Sequence, residues 1–133
     1  MNTRLLMRGS AAFLGVLGIG ATFAPQEILV RAGAQPVGLT VVLIQLAGAL
    51  YLGFAMLNWM AQGNLIGGVY SRPVAIGNVA HFTIGGLVLM RFILAGEHPV
   101  EVIVVTAGYA AFAVLFALVA FRSSPASHSA PRQ

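Results

Sequence analysis

The stretch VGLTVVLIQLAGALYLGFAMLNWMA, from Val37 to Ala61, decides the fold class of this chain. It lies within a longer stretch, from Ala32 to Ser71, that carries no charged residue. The hydrocarbon core of a bilayer is about 30 Å thick, and a helix of roughly 20 apolar residues crosses it. We therefore predict that residues 37–61 form a transmembrane helix.

The same criterion selects three further spans along the chain. Together the four predicted spans are residues 9–24, 37–61, 73–95 and 99–121. Pro73 and Pro99 suit the first turn of a helix, because the N–H that proline lacks is not needed there. The predicted fold class is all-α, an integral membrane four-helix antiparallel bundle. It occupies residues 1–122, and residues 123–133 are predicted to be a disordered cytoplasmic tail.

Composition narrows the class of protein further. The 133 residues are 59% hydrophobic and only 8% charged, with a mean hydropathy of +0.91, whereas soluble domains carry about 25% charged residues. An unusually apolar soluble protein is the less favoured alternative. The chain has no cysteine, which excludes disulfides, thiolate metal sites and cysteine nucleophiles. Its arginines are dispersed singly along the chain, so we predict no nucleic-acid partner.

The first span has an alternative interpretation as a signal peptide. Arg4 and Arg8 precede a glycine-rich apolar run, as in such peptides. However, the one small-residue cleavage candidate, residues 22–24, is followed by a proline, which is a poor residue at that position. We favour a true span because the run carries small residues suited to helix packing, namely Ala11, Gly15 and Gly18.

Small residues also predict which faces of the other helices pack, because helices in lipid associate through close contact. Span three offers Gly77 and Gly85, and span two offers Ala49 and Gly53. In span four we predict a contact stripe of Thr106, Ala110, Ala113, Ala117 and Ala120. The opposite face of span four is predicted to meet lipid through Val104, Phe112, Leu115 and Val119.

Polar residues gather near the predicted cytoplasmic end of spans two and three, where each is expensive to bury in lipid. The candidate ligand-binding residues are Asn58, Tyr70, Arg72, Asn78 and His81. In the functional interpretation they line a pocket in which His81 exchanges a proton and Arg72 holds an anionic headgroup or a carboxylate. In the packing interpretation Asn78 and His81 join helices through hydrogen bonds, and Arg72 marks topology. We favour the packing and topology interpretation for Arg72, and both interpretations stay open for His81.

A smaller polar group, Glu97, His98 and Glu101, lies on the predicted outer side. Two carboxylates and a histidine can bind a divalent cation, but their spacing matches known ligand patterns loosely. Glu101 also suits the first turn of span four, at the positive end of the helix dipole. We favour this simpler explanation, and we predict no metal site and no catalytic residue.

Parts of the sequence resemble a known group of membrane proteins. The stretch GALYLGFAMLNW (residues 48–59), followed by YSRP (70–73) and NVAH (78–81), is similar to a signature of one bacterial subset of the DoxX-like small four-helix membrane proteins. The resemblance covers all four spans. It implies a four-helix bundle in the bacterial inner membrane, and some relatives are accessory subunits of quinone-linked redox systems. No catalytic residue of that group matches a position in this chain.

Three classes of function are compatible with these features. We favour a non-enzymatic protein, either an accessory subunit or a binder of a lipid-like ligand, whose partners are the bilayer and another membrane subunit or a lipid- or quinone-like ligand. The second class is a quinone-linked redox subunit, with His81 and Arg72 near the headgroup. The third is a small proton-coupled exporter, which is disfavoured because span one has no acidic residue. No cofactor is assigned.

We predict that both chain termini face the cytoplasm, because Arg4, Arg8, Arg72, Arg122 and Arg132 fall on that side of a four-span chain. A green fluorescent protein fused to the C-terminus should fluoresce, and alkaline phosphatase fused there should be inactive. Phosphatase fused after Gln35, between spans one and two, is the control and should be active. An active phosphatase at the C-terminus would contradict this topology.

Overall fold

The computed structural model describes residues 2–63, 71–96 and 99–122. Within these ranges the chain contains helices and no strand, in the order α1 (Thr3–Phe23), α2 (Pro25–Arg31), α3 (Gly38–Ala61), α4 (Ser71–Leu94) and α5 (Val100–Arg122). Helices α1, α3, α4 and α5 are each long and apolar enough to cross a membrane. The prediction of an all-α chain with four such helices is confirmed. The predicted tail, residues 123–133, lies outside the described residues.

The short helix α2 was not predicted, although its sequence carries the signals of a helix. Pro25 occupies the first helical position, Glu27 lies in the first turn and Arg31 in the last. A proline at the start and an acidic first turn with a basic last turn both favour a helix. The helix was missed because Pro25 and Glu27 also mark the end of the preceding span.

Helices α1 and α3 pack along one another where two glycines meet. A Cβ atom on Gly48 would lie only 3.0 Å from the carbonyl oxygen of Gly18 and 2.8 Å from the backbone nitrogen of Thr22. Small residues permit this approach, and van der Waals contact then holds the helices together. Gly18 is thus confirmed as a contact position. The prediction of Ala49 and Gly53 as contact positions is wrong, since Ala49 is exposed and nothing lies within 4 Å of a Cβ atom placed on Gly53.

Helices α4 and α5 pack through aromatic rings. The ring of Tyr109 lies over Gly85, where a Cβ atom would come 2.5 Å from ring atom Cε1. Phe82 and Phe116 stack in the same interface with their ring centroids 5.7 Å apart, and neither side chain is exposed. Gly85 is therefore confirmed as a contact position, because it makes room for a ring.

The contact stripe predicted for α5 is confirmed at Thr106, which is buried, and at Ala113, which packs against the core, but it is wrong at Ala110. Ala110 is exposed, whereas Val119, which was assigned to lipid, is buried. Phe112, also assigned to lipid, packs against Phe13 of α1 with ring centroids 5.3 Å apart. The physical reason is that α5 meets its neighbours across gaps wide enough for rings, so large side chains make the contacts.

The α1–α3 pair and the α4–α5 pair meet less closely than the helices within each pair do. Helix α3 approaches α4, and α1 approaches α5, over short stretches. At the α1–α5 contact the ring of Phe13 lies over Gly108, where a Cβ atom would come 2.7 Å from the ring. Aromatic side chains therefore fill the space between the two pairs.

We predict that Gly48→Ala destabilises the protein by about 1–3 kcal/mol, because the new methyl group would overlap backbone atoms of α1. The matched control is Gly53→Ala on the open side of α3, which should not destabilise the protein, because nothing lies near the new methyl group and alanine favours a helix over glycine by about 1 kcal/mol. Reversible unfolding in detergent micelles, followed by circular dichroism, gives both free energies. Equal losses in the two variants would contradict the close approach of α1 and α3.

Candidate functional site

The predicted polar cluster contains a pair of asparagines that bond to each other. Asn58 on α3 and Asn78 on α4 are fully buried, each with 0% of its surface exposed. Nδ2 of Asn58 donates to Oδ1 of Asn78 at 2.8 Å, and Nδ2 of Asn78 donates to Oδ1 of Asn58 at 2.7 Å. This reciprocal pair links α3 to α4.

Ser10 of α1 extends the asparagine pair into a three-helix network. Nδ2 of Asn58 also donates to Oγ of Ser10 at 3.0 Å, and the Ser10 hydroxyl donates to the carbonyl of Met7 at 3.0 Å. Nδ2 of Asn78 also donates to the carbonyl of Val74 at 2.9 Å. All four amide N–H groups of the pair are therefore satisfied within the protein. This geometry favours the packing interpretation for the two asparagines.

His81, one turn beyond Asn78 on α4, lies in an aromatic environment. Its ring stacks on Phe54 of α3 with centroids 4.7 Å apart, and Tyr51 of α3 meets it edge-on at 5.7 Å. Nε2 of His81 is hydrogen-bonded to the hydroxyl oxygen of Tyr109 on α5 at 3.2 Å. His81 thus contacts both α3 and α5, and it is half-buried.

One ring nitrogen of His81 remains available for a further hydrogen bond. No partner for Nδ1 is found within residues 2–63, 71–96 and 99–122. The Tyr109 hydroxyl can donate to Nε2 or accept from it, so the tautomer decides whether Nδ1 donates or accepts. His81 can therefore hydrogen-bond the polar end of a bound molecule in surroundings that are otherwise apolar.

The other predicted site residues lie apart from His81 or are not described. Arg72 is exposed in the first turn of α4, and the nine residues to His81 correspond to roughly 14 Å along a helix. Tyr70 lies outside the described residues. The structure brings Asn58 and Asn78 into contact and places His81 in the adjoining turn. A role of these five residues in ligand binding stays a prediction.

Two residues of this region were not predicted, Ser10 and Tyr109. Both are almost completely buried. The signal that singled out Asn58 was also available for them, since a hydroxyl group inside a span needs a partner. The signal is weaker for serine because its hydroxyl can bond to a carbonyl of its own helix, as Ser10 does.

The acidic group on the predicted outer side is described only in part. Glu101 accepts a hydrogen bond from Nη1 of Arg31 at 2.7 Å and forms an ion pair that joins α2 to α5. Glu97 and His98 lie outside the described residues. In the part of the chain that the structure describes, no three histidine, aspartate or glutamate side chains lie close enough together to hold a metal ion.

We predict that Asn58→Leu and Asn78→Leu each destabilise the protein by about 1–2 kcal/mol, because each leaves the opposite amide buried without its partner. The double variant should lose less than the sum of the two, since neither amide is then left unpaired. Unfolding of the four proteins in detergent gives the coupling energy. Strictly additive losses would contradict the reciprocal pair.

Comparison with known proteins leaves the geometry as the guide to function. No protein-family model, curated protein or solved structure matches the chain. The DoxX-like resemblance rests on the sequence stretches quoted above, and it stays a prediction.

Proposed function

We propose that this chain is a multi-pass protein of the bacterial inner membrane, an antiparallel four-helix bundle that binds a lipid-like ligand at His81 without catalysing a reaction. The observation that carries the proposal is the half-buried imidazole of His81, which bonds Tyr109 through Nε2 and has no partner for Nδ1 among the described residues. Burying a titratable side chain inside a span costs free energy, and such residues usually serve a function.

Access to His81 is proposed to come from the side, between α3 and α4. These helices approach each other closely over a short stretch only, and the Asn58–Asn78 pair holds them together there. Beyond this pair, Tyr51 and Phe54 of α3 are half-buried beside the imidazole. An apolar chain can lie along such a surface while its polar end reaches Nδ1, which supports a lipid-like ligand over a water-soluble one.

A quinone-linked redox subunit is the second candidate, and the stacking of Phe54 on His81 favours it. A planar ring can lie against these aromatic side chains, and its carbonyl oxygen can accept a hydrogen bond from an imidazole N–H. We also propose that the chain is a member of the DoxX-like group and that it is an accessory subunit of a larger membrane complex. In both candidates the chain binds the ligand and a partner would carry any reaction.

We predict that the wild-type protein, purified in a mild detergent, retains a lipid-like molecule that mass spectrometry identifies. His81→Phe should retain at least about tenfold less, because a lost hydrogen bond of about 1.4 kcal/mol corresponds to that factor. Phenylalanine keeps the aromatic packing, so the comparison isolates the two ring nitrogens. Tyr109→Phe should also lower retention, since its hydroxyl no longer orients the imidazole.

The matched control is Gln45→Leu, which removes a polar group of α3 that faces α1, where Nε2 donates to the carbonyl of Thr22 at 3.4 Å. This variant should retain as much ligand as the wild type. Circular dichroism establishes that each variant is folded. A folded His81→Phe protein with undiminished ligand would show that His81 only packs helices. A retained quinone would favour the second candidate over the first.

A further inference from the structure

Three exposed arginines lie at the same end of the long helices. Arg4 and Arg8 belong to the first turns of α1, and Arg72 belongs to the first turn of α4. The contacts of Asn58 with Ser10 of α1 and Asn78 of α4 show that both helices begin at this end. We call Arg4, Arg8 and Arg72 the basic end.

The described carboxylates lie at the opposite end. Glu27 belongs to α2, which follows the end of α1, and Glu101 belongs to the first turn of α5. Glu101 is also paired with Arg31 at 2.7 Å, so the charge of that arginine is balanced. The basic end therefore carries three arginines whose side chains the structure describes, and none of the described carboxylates lies there.

Arg8 is held in a way that leaves part of its guanidinium group available. Its Nε donates to Oε1 of Gln62, just beyond the end of α3. Its two terminal nitrogens have no partner within the part of the chain that the structure describes. A guanidinium group with free terminal N–H groups matches the oxygens of a phosphate, which it binds through two parallel hydrogen bonds.

Two further features point to a phosphate that belongs to a lipid. The starts of α1 and α4 add the positive ends of two helix dipoles to the basic end, and these ends favour anions. Trp59, near the end of α3, leaves 56% of its surface exposed. Exposed tryptophan is typical of the level of the lipid headgroups, where anionic phospholipids are found.

We propose that the basic end binds the phosphate group of an anionic phospholipid, with Arg8 contacting the phosphate oxygens and Arg4 and Arg72 adding positive charge. The proposal rests on the membrane location proposed above, but it is independent of the ligand at His81. An arginine near an anionic membrane surface strengthens binding by about fivefold. The interaction should weaken at high salt, because these side chains are exposed.

The test is a titration of the detergent-solubilised protein with phosphatidylglycerol and, separately, with phosphatidylcholine of the same acyl chains, followed by native mass spectrometry. We predict that the wild type prefers phosphatidylglycerol. Arg8→Gln and Arg72→Gln should each lower this preference about fivefold, and the triple variant that also carries Arg4→Gln should abolish it. Arg72 has no hydrogen bond among the described residues, so Arg72→Gln serves as the test if Arg8→Gln fails to fold.

Arg31→Gln is the control, because it removes the same charge from the opposite end. It should leave the lipid preference unchanged. Equal binding of the two lipids, or an equal effect of Arg31→Gln and Arg8→Gln, would overturn the proposal. If inorganic phosphate displaced phosphatidylglycerol completely, the proposal that the bound phosphate belongs to a lipid would be wrong, and the basic end would be a site for free anions.

Discussion

Burying an amide group without a hydrogen-bond partner in apolar surroundings costs free energy, and the arrangement of α1, α3 and α4 avoids that cost. Asn58 and Asn78 satisfy each other only when α3 and α4 keep one register, since a shift by one residue turns either side chain by about 100° around its helix. The hydrogen bond from Asn58 to Ser10 fixes the register of α1 in the same way. Apolar contacts tolerate many registers, whereas this network tolerates one.

The close contacts around this network are of two kinds. Between α1 and α3 the backbones touch through Gly18 and Gly48, and between α4 and α5 the Tyr109 ring covers Gly85. Rings also fill the space between the two pairs of helices, which keeps the backbones of α3 and α4 apart over most of their length. His81 lies in this wider space, and the packing there explains why its imidazole is only half-buried.

The polar groups inside the spans differ in how completely they are satisfied. The amides of Asn58 and Asn78 use all their N–H groups within the protein, so they have little left to offer a ligand. For His81 the described residues supply one hydrogen bond, through Nε2. This contrast is why we propose a binding role for the histidine and a structural role for the asparagines, although all three were predicted as one site.

Local properties of the sequence determined the helices of this protein. The length of an apolar run decides whether a helix can cross a bilayer, so four long helices were predictable. Helix α2 could also have been predicted, from the helix signals at its two ends, Pro25 and Arg31. The tertiary structure decided which side chains meet. Ala110 is exposed while its neighbour Tyr109 is buried, and Ser10 is the partner of Asn58. These pairings depend on the rotation and spacing of helices distant in the chain, which no local pattern specifies.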